Sequence, residues 1–127
     1  MTDEELAAVL IGLPHTTVGE PFGPDVFVYK VAGHQVAGKV FALHRRKAAP
    51  AQLTLKCDPA RALLLRDHYP AVTPGYHTNK RHWNTVVLDG SVPDDDLLDF
   101  VHHSYELVVA GLPARLRATG EYDLEVT

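Results

Sequence analysis

Apolar residues recur along this chain with two periods, and the switches between them set out an order of elements. Leu6, Val9, Leu10 and Leu13 fall at i, i+3, i+4 and i+7, the spacing of one buried helix face. Thr2-Asp3-Glu4-Glu5 begins that helix with a capping-box pattern: the hydroxyl accepts from an early orphan amide and the carboxylate at N3 returns the bond. Gly12-Leu13-Pro14 ends it. Residues 14–25, PHTTVGEPFGPD, are rich in turn formers, so no regular element is expected there.

The period then drops to two. Val26–Val31, VFVYKV, puts Phe27, Tyr29 and Val31 on one strand face. Ala32-Gly33 offers a turn, and a second strand lies within residues 36–44, VAGKVFALH, with Gly38 as a bulge or turn candidate. HRRKAAPA is a polar loop, and QLTLKC is a third strand completing a meander. Asp58-Pro59 marks a helix start, an Asp N-cap followed by Pro at N1. ARALLLRDHY continues that helix until Pro70 stops it. A hairpin follows, outgoing over Tyr76–Asn79 and returning over Trp83–Leu88, closed by Asp89-Gly90.

Pro93 opens the last long helix, and Asp94, Asp95 and Asp96 complement the positive end of its dipole. Leu97, Val101, Ser104 and Val108 share its inner face, with Gly111 and Pro113 at its end. The tail from Ala114 reads as one short helical turn that frays. The order α-β-β-β-α-β-β-α predicts an α+β class: two layers, a five-stranded mainly antiparallel sheet with helices on one side. A single domain over residues 1–127 is expected, since no repeat or linker divides the chain.

Composition narrows the function classes. At 127 residues, with 46% apolar and 22% charged side chains, the chain can bury a core without metal or disulfide staples. The one cysteine, Cys57, cannot form an internal disulfide, which points to a reducing cytoplasm. Acids occupy the N-terminus where a signal peptide needs Lys or Arg, and no apolar run approaches membrane-spanning length.

Charge is unevenly placed. Val26–Leu88 holds ten of the twelve Lys and Arg residues and two acids, while the remainder holds fourteen acids. Five of the eight His residues share the basic middle. Such asymmetry suits an anionic partner, although acidic helices packed beside a basic sheet would produce it too.

Particular residues carry a resemblance. Pro21-Phe22-Gly23, Gly38-Lys39-Val40-Phe41-Ala42, Lys56 with Asp58-Pro59, Asn79-Lys80 with His82-Trp83-Asn84, and Ser104-Tyr105 together resemble the MmcQ/YjbR family of small bacterial proteins. The similarity runs from about Leu13 to about Arg117. One departure is that the family reaches its glycine-lysine strand by a tighter turn than residues 32–37 allow. The resemblance implies a two-layer α+β fold similar to type III secretion chaperones and, loosely, to the CyaY-like architecture. It also implies a DNA-binding label, because the hairpins have been likened to a double wing. It brings no catalytic residue with it.

The residues themselves favour binding over catalysis. Arg45-Arg46-Lys47 on a strand connection and Lys80-Arg81-His82-Trp83 near the second hairpin's bend, with Lys39, are the candidate nucleic-acid contacts. Lys and Arg there would touch phosphates. Trp83 would stack on a base only in a single strand, and a rim or core position is the simpler expectation for it. No metal-ligand spacing, cofactor fingerprint or nucleophile motif appears. Asp99 and His103 read as a surface pair, Ser104 as a small residue admitting the helix to the sheet, and Cys57 as a buried thiol. No enzymatic activity, cofactor or metal is expected. DNA is the expected partner. The alternative is an acidic peptide or protein held by a chaperone-like module, possible also as a homodimer.

Overall fold

A computed structural model describes residues 1–31, 38–75 and 78–113. The Ala32-Gly33 turn, the Tyr76-His77 part of the predicted outgoing strand and the tail turn lie outside those residues. The elements run α1 (Asp3–Gly12), β1 (Thr16–Gly19), β2 (Phe27–Val31), β3 (Lys39–Arg45), β4 (Gln52–Lys56), α2 (Pro59–His68), β5 (Val72–Pro74), β6 (Trp83–Val87) and α3 (Asp94–Ala110). The strands form one antiparallel sheet in the order β1-β2-β3-β4-β6-β5.

The α+β class with an antiparallel sheet stands, with six strands in place of five. The added strand is β1, inside the stretch expected to be irregular. His15 takes a left-handed backbone, φ 57°, that turns the chain out of α1. The β-branched Thr16-Thr17-Val18 then pairs with Val31, Lys30 and Tyr29. A strand this short and this exposed lacks the alternation that would reveal it. The outgoing strand of the second hairpin is also displaced, to Val72–Pro74. Pro74 ends it without losing a ladder bond because β5 is an edge strand. Gly75 then passes so close to β6 that a Cβ would sit 2.7 Å from Trp83 Cβ.

Caps act where the sequence placed them. Thr2 and Glu5 form both bonds of the capping box, and Asp58 accepts from the Arg61 amide at the start of α2. One sheet face is covered by helices: α1 lies against β1, α3 against β2, β3 and β4, and α2 against β5 and β6. The core between the layers includes Leu6, Leu10, Tyr29, Leu53, Leu55, Val86, Val101 and Tyr105. The β2–β3 register slips after Tyr29, opposite Ala42, so that Lys30 meets Val40. That bulge leaves Phe41 turned inward with Ala42, and Phe41 meets the Tyr105 ring edge-on at 5.4 Å. Tyr105 in turn donates to Pro14 O at 2.6 Å, tying α3 to the end of α1.

Candidate nucleic-acid interface

Several of the residues that carry the family likeness meet where β4 passes into α2. Ser104 Oγ donates to Phe41 O at 2.6 Å and accepts from the Lys56 amide at 2.9 Å. It thus bridges β3 and β4 from α3. His103 Nε2 accepts from the Asp58 amide at 3.1 Å, so the expected Asp99–His103 surface pair gives way to a bond that fixes the α2 cap. The Cys57 amide donates to His82 O. Its side chain is buried, and that burial pushes the thiol pKa up, away from thiolate chemistry.

Arg66 completes this junction. Its Nε donates to Asn84 Oδ1 at 2.7 Å, and its terminal nitrogen donates to Trp83 O and to Lys80 O. Gly23 likewise has a backbone role, with a left-handed φ of 106°. These motif residues hold elements together, which accounts for their types without invoking chemistry.

The candidate cations do not gather at one place. Strands alternate direction, so the Arg45-Arg46-Lys47 loop leaves one end of the sheet while Lys80 and Arg81 precede β6 at the other. Gln52 faces Arg45 and Lys56 faces Trp83, so four residue steps, about 13 Å, separate the two ends along β4. Lys39 is exposed at the Lys56 end, but its partner Val31 belongs to the helix-covered face. Arg46 lies over the Phe27 ring and reaches Glu4 at 3.5 Å. Its charge is therefore turned to α1. Lys47 is exposed in the loop. Trp83 is half-buried, opposite Lys56, as the rim expectation had it.

Two residues outside the original set matter more. By alternation from the core rows Tyr29–Ala42–Leu55–Asn84, the face that no described helix covers carries Lys30, Arg45, Lys56 and Trp83, with Thr54 and Thr85 between them. Thr54 and Thr85 share a 2.8 Å hydroxyl hydrogen bond. Lys30 and Lys56 were visible as strand residues, but their face depends on pairing. The six strands contain Lys30, Lys39, Arg45 and Lys56 and no carboxylate. Helices α1 and α3 contain eight carboxylates and no Lys or Arg. The asymmetry along the chain becomes two acidic helices, α1 and α3, backed by a cationic sheet face, while α2 carries Arg61 and Arg66 against Asp67.

One buried titratable group lies under α1. His44 is fully buried and its Nε2 faces Asp3 Oδ1 at 3.2 Å, while Nδ1 has no partner among the described residues. Burial lowers its pKa against the opposing pull of Asp3, with Arg46 lowering it further. His103 is lowered by burial and by Arg61. Both histidines therefore stay neutral in the folded chain at a pH where the unfolded chain, with a pKa near 6.5, binds protons. Their stabilising effect is complete above about pH 6.5 and is lost as pH falls through the folded values. The urea midpoint should fall between pH 7.5 and 5.5, and His44→Gln should flatten that fall. An unchanged slope would remove His44 from the account.

Among the described residues, no helix is long and apolar enough to cross a membrane. No group of three or more His, Cys, Asp or Glu residues there could hold a metal ion. Comparison with known proteins gives one consistent result. The family model described as YjbR matches residues 11–107. The uncharacterized protein YbdF of Escherichia coli O157:H7 is 35% identical over 88% of each chain. The uncharacterized protein YjbR of Escherichia coli K12 is 37% identical over 70% of this chain and 75% of its own. A Deinococcus radiodurans crystal structure is similar with TM-score 0.86 and 38% identity, covering 93% of this chain and 86% of that one. A Pseudomonas syringae structure gives TM-score 0.70 at 25% identity, covering 84% and 98%.

Proposed function

The chain belongs to the YjbR family, and from that premise we propose that it is a non-enzymatic binder of duplex DNA phosphates, using the sheet face that no described helix covers. The names of its relatives assign no activity, so the reading rests on one observation: the strands carry cations and no carboxylate, while α1 and α3 carry only acids. A polyanion approaching the sheet meets attraction there and repulsion from α1 and α3 on the opposite side. Lys30 and Lys56 toward one end of the face, and Arg45 and Lys47 at the other, form two cationic rows. Their separation of about 13 Å is close to the ~12 Å width of a major groove, so the rows can meet phosphates on its two rims. No described helix lies on that face to enter a groove, so binding rests on phosphate contacts and is weak and indifferent to sequence.

Fluorescence anisotropy with labelled duplex DNA tests this. About four phosphate contacts correspond to roughly a hundredfold loss of affinity between ~50 and ~200 mM salt. Replacing Lys30, Arg45 and Lys56 together by Ala should weaken binding alike on unrelated sequences, whereas Arg46→Ala should not, because Arg46 already serves Glu4. Absence of binding at low salt, or a triple variant that binds as before, would overturn the proposal.

A further inference from the structure

A second surface has a different chemistry. Helix α2 buries Ala62 and half-buries Leu65, yet Leu63 and Leu64 remain 63% and 69% exposed. Adjacent helix positions point about 100° apart, so the two leucines face different surroundings. Leu63 lines a groove with Pro59 and Ala60 on one wall, Lys80 and Arg81 on the other, and Arg66 between them.

The groove is held open by bonds on both sides. Arg66 clamps the turn before β6 to α2 through Lys80 O and Trp83 O. Asn79 braces the same turn, its side chain accepting from the Arg81 amide at 3.0 Å and its carbonyl from the His82 amide at 3.1 Å. Asp58, next to Pro59 in the chain, is committed to capping α2. Asp67 lies one helical turn beyond Leu63. The walls therefore present an apolar strip facing a cationic one at fixed spacing.

We propose that this groove docks an acidic, amphipathic protein segment, with its apolar side chains on Leu63 and its carboxylates on Lys80 and Arg81. Charge complementarity selects the occupant. A nucleic-acid backbone would satisfy the cationic wall but would leave the leucine wall facing charge and water. A segment that alternates carboxylates with apolar side chains satisfies both walls. The proposal does not rest on the sheet-face reading, since none of Lys30, Arg45 and Lys56 lines this groove.

The test uses a labelled peptide alternating Glu and Leu, with polyglutamate and the matching Lys/Leu peptide as controls. The Glu/Leu peptide should bind at least tenfold more tightly than polyglutamate, and the Lys/Leu peptide should not bind. Leu63→Asp and Arg81→Glu should each weaken binding at least tenfold; both positions are exposed, and unchanged melting temperatures check the fold. The Lys30, Arg45 and Lys56 triple variant should bind the peptide normally, which separates this result from the DNA experiment. Equal binding of polyglutamate, displacement by duplex DNA, insensitivity to both groove variants, or no binding of the Glu/Leu peptide would each overturn the proposal.

Discussion

Ser104→Ala should destabilise the protein by about 2–4 kcal/mol, since two buried backbone groups would lose their partner together. The hydroxyl donates to Phe41 O and accepts from the Lys56 amide. Ser104 is fully buried, so water has no ready access to replace it. Phe41 stands at the bulge, where the ladder to β2 is already interrupted. For a chain of this length the loss corresponds to a melting temperature lower by roughly 6–15 °C. Hydrogen exchange should single out the Lys56 amide, which would lose more protection than the amides in the middle of β4. A melting temperature within about 2 °C of the parent would show that the bridge contributes nothing net.

That bridge marks where sequence reasoning stopped. Ser104 was legible as a small residue on the inner face of α3, because helix periodicity is local. Its two acceptor and donor partners lie 63 and 48 residues away, and no spacing rule reports them. The same division runs through the fold. Both ends of α1, the Asp58-Pro59 start of α2, and the strands β2, β4 and β6 follow from caps and alternation within a few residues. Strand β1 depends on the partner that pairs with it, and β5 was shifted because Pro74-Gly75 reads as a turn before a strand rather than its end.

The charges follow the same logic. Ten cations in one stretch of sequence suggested one patch, but antiparallel strands carry successive segments to opposite ends of the sheet. Arg45 and Lys56 are brought onto a common face by register, while Lys39 is sent to the other side by the bulge at Phe41. Arg46 is drawn to Glu4, which sits 42 positions earlier in the chain. What survives from the sequence is the coarse asymmetry, because the acids of α1 and α3 and the cations of the strands remain in separate layers however the strands pair.

Arg66→Met should cost about 2–4 kcal/mol and also loosen the turn before β6. The guanidinium has acceptors on Asn84, Trp83 and Lys80, and the Asn84 side chain is itself buried and donates to Ala62 O at 3.4 Å. Methionine keeps the apolar stem and removes the fork, so the loss reports the hydrogen bonds rather than packing. Arg66→Lys should recover only a minor part, because one ammonium cannot meet a side-chain amide and two carbonyls in the planar arrangement that the guanidinium supplies. The Arg81 and His82 amides should then exchange faster than in the parent, while the Leu55 amide in β4 remains protected. Full recovery by lysine would mean that charge near the turn, and not the geometry of the fork, holds the hairpin to α2. The groove would then owe its shape to that charge, and peptide binding should survive in Arg66→Lys and weaken in Arg66→Met.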